Sequence, residues 1–269
     1  MWPKGLICEA PSALGLLNAL LAGRSGGCEV VRPLATGIVF AVGMICGTLR
    51  CEGADLWGGS LGLTSDYLVR GVSRTNDQAA LQLDLHYVNA SGLVAGLFAS
   101  NTEIVPGEPR DIEVDAFAGF AWAAGSDWHG RILASHYAYP WNRAGSGYNY
   151  DELGVDAAFQ DWVNVALTYS PNAPLYVFGR GLIGVTSKSA EVNLQRPVLH
   201  KLSAMAGIGY AYYDGPERGG YAYWSIGASY DLAPVSLVLS YVDTTAGAKT
   251  LFYNVAADRS WTATVIWRF

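Results

Sequence analysis

The chain has 269 residues, 51% of them hydrophobic and only 15% charged, with a formal net charge of −6. Average soluble domains carry roughly 25% charged residues, yet no uninterrupted apolar run reaches the ~20 residues of a membrane helix. The negative balance argues against nucleic-acid binding as the main business, and the positive mean hydropathy of +0.19 points to apolar residues at alternate positions.

All four cysteines (Cys8, Cys28, Cys46, Cys51) precede residue 52. The body of the chain therefore has no thiol for a disulfide or a metal site, which suits passage through an oxidising compartment. Arg32 precedes a short apolar core, Leu34 to Cys46, with small residues at Gly53 and Ala54. That order is the pattern of a secretory signal peptide, so residues 1–54 are expected to be a leader and residues 55–269 the functional domain. A second apolar patch at Ala13 to Ala22 leaves two readings open: a translation start near Val30, or an unusually long leader.

From residue 55 the pattern becomes alternation, the period of a strand, although Leu93 to Ser100 is too small and apolar to assign its faces and Leu133 and His136 blur the rule. Leu61, Leu63 and Tyr67 oppose Ser60, Thr64 and Asp66; Leu81, Leu83, Leu85 and Tyr87 oppose Gln82, Asp84 and His86. Ile112, Val114, Ala116 and Phe120 oppose Glu113 and Asp115; Trp128 and Ile132 oppose His129 and Arg131. Leu153 and Val155 oppose Glu152 and Asp156, and Val192 and Leu194 oppose Glu191 and Asn193. The count reaches twelve strands, ending on Trp261, Ala263, Val265, Trp267 and Phe269 along one face. Connectors alternate in length. Short ones fall at 89–91, 124–127, 160–161, 196–197 and 231–234; long ones run through 69–76, 103–110, 140–148, 171–187, 213–218 and 244–258. Such asymmetry belongs to transmembrane barrels, with short periplasmic turns and longer outer loops. The expected fold is all-β: a transmembrane antiparallel β-barrel of about twelve strands, preceded by a signal peptide. Residues 171–187 strain the scheme, being too apolar for a surface loop. They extend a strand, fold inward as a constriction, or add a strand.

Leu61-Gly-Leu-Thr-Ser-Asp-Tyr-Leu-Val-Arg-Gly-Val-Ser-Arg-Thr75 resembles the opening signature of the Gcw_chp family, the TorF-like proteins of proteobacteria proposed to be porins. The pattern Ser-x-Tyr-x-x-Arg-Gly-x-Ser is met at Ser65, Tyr67, Arg70, Gly71 and Ser73. Ala79-Ala-Leu-Gln-Leu83 departs from the Pro-Ala-x-Gln-Gly that usually follows. The resemblance implies an outer-membrane barrel of a Gram-negative bacterium, giving passive diffusion of small solutes. A terminal strand ending in Phe is similar to the signal read by the barrel-assembly machinery, here Trp261, Val265, Trp267 and Phe269. Membrane lipid and lipopolysaccharide are the other expected partners.

The inward face is acidic. Asp66, Asp84, Glu113, Asp115, Glu152, Asp156 and Glu191, with His86 and Arg131, are the expected pore-lining residues. Carboxylate rings select ions by sign, so a cation-preferring path is expected, against the bland reading of a wet lumen that happens to be acidic. Arg70, Arg74, Arg110, Arg143, Arg180 and Lys188 fall in or near outer loops as a solvated rim; Arg70, Gly71 and Ser73 stand apart because the signature falls on them. The alternative function is a closed structural or surface-binding barrel, its lumen plugged by side chains or by residues 171–187. A lipid hydrolase ranks lower. Ser135 and His136 point to opposite faces, His129 lies about 20 Å from Ser135 along the strand, and nothing in the sequence brings His86 to it. Gly179-Arg-Gly-Leu-Ile-Gly184 matches a dinucleotide fingerprint by letters only, lacking the βαβ context. No cofactor and no metal are expected.

Overall fold

A computed structural model describes residues 56–103, 111–142, 145–160, 162–216, 219–252 and 257–269. The proposed leader, Arg110 and Arg143 lie outside them. The described strands run in chain order: β1 (Leu56–Thr64), β2 (Leu68–Val69), β3 (Val72–Ser73), β4 (Ala80–Val88), β5 (Leu93–Thr102), β6 (Asp111–Ala124) and β7 (Trp128–Ala138). They continue with β8 (Tyr150–Phe159), β9 (Val163–Val177), β10 (Gly181–Leu199), β11 (Leu202–Asp214), β12 (Gly219–Leu232), β13 (Val235–Thr244) and β14 (Ser260–Arg268). Twelve of them close an antiparallel barrel, each paired with its chain neighbour, and β1 seals against β14 through Ser60↔Arg268 to Thr64↔Thr264. β2 and β3 form a separate two-stranded hairpin.

Alternation sorts the two faces. Leu63, Leu85, Leu97, Ile132, Leu167, Leu239 and Val265 are exposed on the outer wall, whereas Ser60, Thr64, Gln82, Asn164, Ser225, Ser240 and Thr262 are buried inside. Rings cluster on the outer wall at both ends. At the short-turn end Trp57 meets Tyr87 (5.0 Å between centroids), Trp128 meets Phe159 (4.9 Å) and Trp267 meets Phe269 (5.1 Å). Toward the loop end Tyr241 meets Trp224 and Trp261 at 5.5 and 5.3 Å. Two aromatic belts around an apolar band match the interfaces of a bilayer. Trp261, Val265, Trp267 and Phe269 all face outward and are exposed.

Two stretches differ from expectation, and a third takes one of the readings left open, the extension of a strand. Residues 171–187 are no loop: β9 and β10 stay paired up to Gly181↔Val177 around a tight turn. Leu175, Val177 and Val185 point inward into an apolar cluster while Tyr176 and Phe178 point outward, so both faces are apolar and the alternation is hidden. The turn expected at 196–197 lies farther on, because β10 continues to Leu199 and takes up Pro197 at a register shift; prolines in sheets sit at such irregularities. The second departure is the β1–β4 connection. Tyr67 leaves the wall and is fully buried inside.

Candidate functional site

The connection from β1 to β4 turns inward and crosses the barrel. Leu68↔Ser73 and Val69↔Val72 pair as a hairpin whose two turn residues, Arg70 and Gly71, have φ of +50° and +77°. Positive φ at both central residues marks a tight hairpin turn whose twist matches its strands. Gly71 fits because a Cβ there would stand 2.3 Å from Thr244 Cγ2 and 3.2 Å from Tyr223 Cβ, on the β12–β13 wall. Arg70 adopts the same left-handed backbone without glycine's freedom, which costs about 1–3 kcal/mol. Its guanidinium reaches farther round the wall: Nη2 donates to Glu152 Oε2 at 2.6 Å on β8 and to Thr168 Oγ1 at 2.8 Å on β9. The hairpin, rooted between β1 and β4, therefore reaches the walls formed by β8–β9 and by β12–β13.

The stem is clamped by polar side chains. Asp66 accepts from Ser73 Oγ (2.7 Å), Thr75 Oγ1 (3.0 Å) and Ser260 Oγ (3.3 Å). The Tyr67 amide donates to Thr75 Oγ1 at 3.0 Å, and the Arg74 amide to Tyr67 O at 2.6 Å. Tyr67 and Tyr139 hydroxyls both donate to Glu113. Ser65 Oγ accepts from the Ala263 amide at 3.0 Å, tying the start of the connection to β14. Of the signature, Tyr67, Arg70 and Ser73 place their side chains inside the barrel, Gly71 takes the turn, and exposed Ser65 anchors the start of the segment to β14.

Two apolar clusters hold the hairpin. Leu68 and Val72 pack with Leu175, Val177, Val185, Tyr213, Tyr221 and Leu251, the last from a short helix, Ala246–Leu251. Tyr67 and Val69 pack with Phe98, Tyr137, Tyr139 and Tyr150. Interior polar side chains carry the rest. His86 Nδ1 bonds Asp84, Arg131 Nε donates to Asp156 at 3.0 and 3.2 Å, and Glu191 accepts from Tyr223 and Asn193, both at 2.7 Å. Asp115 is 0% exposed, and neither carboxylate oxygen has a hydrogen-bond partner among the described residues.

Of the sequence-predicted residues, Asp84, His86, Glu113, Asp115, Arg131, Glu152, Asp156 and Glu191 point into the interior from the wall, and Asp66 sits in the stem. Arg70 is not on a solvated rim: at 7% exposure it is held by a wall carboxylate, because the loop carrying it folds inward. Arg180 and Lys188 are exposed. The sequence reading missed Thr168, Tyr139, Tyr223 and Thr244 as partners of the hairpin. Ser135 faces inward opposite Glu152, while His136 is exposed outside on Asp151, so these two neighbours cannot work together.

Closure, apolar exterior and polar interior define the class: the fold is that of the outer-membrane porins. The NanC porin superposes with a TM-score of 0.51 at 8% identity, over 78% of this chain and 98% of that one. The COG4313 outer membrane channel from Pseudomonas putida F1 gives 0.50 at 10% identity, over 84% and 99%. The KdgM porin gives 0.47 at 12%, over 79% and 99%. At these identities the likeness is one of fold alone, and no curated protein matches. Residues 53–269 match the family model described as "Bacterial protein of unknown function (Gcw_chp)", and the chain belongs to that family.

Proposed function

We propose that this protein is a porin of the Gram-negative outer membrane, giving passive diffusion of small solutes through an acidic, polar lumen. Residues 1–54 serve as its export leader. Lipid and lipopolysaccharide surround its outer wall, and the barrel-assembly machinery inserts it. The observation that carries this reading is the division of faces: an apolar wall between two aromatic belts encloses Asp84, Glu113, Asp115, Glu152, Asp156 and Glu191. Charge is costly against lipid, so these groups belong to a solute path or to its closure. The inward hairpin narrows that path, and its carboxylate wall favours cations.

A second reading has one specific observation behind it. Interior side chains such as Asp84, Asn164, Ser225 and Ser240 are almost wholly buried, and the hairpin is covered by an apolar cluster. That is the packing of a closed, structural or surface-binding barrel. Liposome swelling separates the two. Proteoliposomes of the exported chain that take up small sugars and amino acids faster than empty vesicles support the porin; a folded barrel indistinguishable from empty vesicles supports the closed one. Catalysis gains nothing from the geometry.

A further inference from the structure

The hairpin carries a cation into a wall of carboxylates. Glu152 Oε2 and Thr168 Oγ1 accept together from a single nitrogen of Arg70, at 2.6 and 2.8 Å. The Thr168 hydroxyl also lies 2.7 Å from Ser189 Oγ, to which it can donate, so its oxygen is left to accept. On β6, two strands from Glu152, Asp115 is buried with neither oxygen hydrogen-bonded among the described residues, within electrostatic reach of Glu113, Glu152 and the Arg74 guanidinium. A buried carboxylate without a donor is expensive, so positive charge brought near it is favoured. Arg70 meanwhile holds its position from a left-handed backbone that disfavours any residue but glycine, asparagine or aspartate. Strain at the turn favours its departure, and the ion pair opposes it.

We propose that Glu152 and Thr168, in a negative field to which Asp115 adds, form a lumen subsite for the guanidinium or ammonium group of a solute, which Arg70 occupies as a tethered stand-in until such a solute displaces it. The inference rests on the channel reading and adds to it a solute class and a gate. A planar guanidinium suits the site because fork-like donors match paired acceptors, and ammonium is its compact equivalent. Neutral sugars and anions lack the charge that competes with Arg70, so they pass only at the basal rate that the Arg70-occupied lumen allows.

The test uses the full exported chain in planar bilayers, with folding checked by heat-modifiable migration. Millimolar guanidinium chloride, added to a potassium chloride bath at matched ionic strength, is expected to raise the wild-type mean conductance by about tenfold through a population shift. Glu152→Gln is expected to conduct from the start and to ignore guanidinium. Thr168→Ala, which keeps every charge, gives an intermediate response and serves if Glu152→Gln fails to fold. Equal responses to guanidinium and potassium in the wild type, or an unchanged guanidinium response in both variants, overturn the subsite. A barrel with residues 68–73 replaced by a short Gly-Ser link separates the two levels of the argument. If it folds and stays silent, the channel reading falls and the subsite with it. If it conducts while the wild type is indifferent to guanidinium, only the subsite falls.

Discussion

Arg70 and Glu152 stand 82 positions apart in the chain, yet the guanidinium Nη2 lies 2.6 Å from the carboxylate inside a closed barrel. The pair fastens to β8, away from its turn's other contact on β12–β13, a loop that would otherwise reach outward. Both side chains are more than nine-tenths buried, and breaking one partner of such a pair leaves a buried charge, at a cost of about 3–5 kcal/mol. Glu152→Ala is therefore expected to release the hairpin before the barrel itself unfolds. Limited trypsin digestion checks this. Cleavage at Arg70 or Arg74 appears in the variant while the wild-type hairpin resists; equal resistance in both contradicts the fastening role.

Gly71 supplies the other contact. Gly71→Ala drives a methyl group into Thr244 Cγ2 and imposes a left-handed φ on alanine, so the hairpin loses about 1–3 kcal/mol of its seat. Thr244→Ser removes the obstructing methyl and is expected to recover part of that loss. Hydrogen exchange at residues 68–74 across the double-mutant cycle reads the coupling. Additive effects would mean that the hairpin does not touch β13.

The barrel was legible in the sequence because its faces differ: Leu83-Gln82-Leu81 and Val265-Thr264-Ala263 put apolar residues on one side and polar ones on the other. The hairpin was not. Tyr67 continues the outward parity of Leu61 and Leu63, so nothing in the period shows that the chain has left the wall at Asp66. One local signal was available, an Arg-Gly pair between Leu-Val and Val-Ser, which has the spacing of a two-residue hairpin with glycine at its second turn position. Residues 171–187 stayed undecided in the sequence, with strand extension one of three readings, for the opposite reason. Leu175 and Val177 pack inside, Tyr176 and Phe178 face out, and a strand apolar on both sides has no period to read. Partners such as Thr168 and Thr244 depend on closure of the barrel, which brings β9 and β13 to the hairpin from far along the chain.

The outer wall makes its own prediction. Leu239 lies on β13, exposed between the aromatic belts, and its neighbour Ser240 points inside. Leu239→Arg is expected to cost about 2–4 kcal/mol of folding stability in lipid, as charge near the bilayer midplane does. Ser240→Asn, inside, is expected to fold with wild-type efficiency. Denaturant titration in vesicles checks both, and a tolerant Leu239→Arg would contradict a lipid-facing wall.

Asp77 lies in the connection beyond the hairpin, on a left-handed backbone. Partial burial raises its carboxyl above the usual range, and the charges of Asp66 and Asp258 add to the rise. A raised carboxyl in the folded state contributes stability that is present below the ordinary carboxylate pKa and lost as pH rises through the folded value. Asp77→Asn keeps a residue that tolerates left-handed φ and removes the charge. It is expected to flatten the pH dependence of hydrogen exchange in residues 73–78 between about pH 3 and pH 6, the range around a carboxylate's titration. The same profile in both proteins would rule out Asp77 as the source.

The central claim is that the carboxylates of the interior line a cation-preferring path. The direct measurement is the reversal potential of single channels under a potassium chloride gradient, for the wild type and for Asp84→Asn, Glu113→Gln and Asp115→Asn combined. The account predicts discrete steps with a cation-selective reversal potential in the wild type, moving toward zero in the triple variant. Steps whose selectivity is the same in both, or selective for anions, would contradict it.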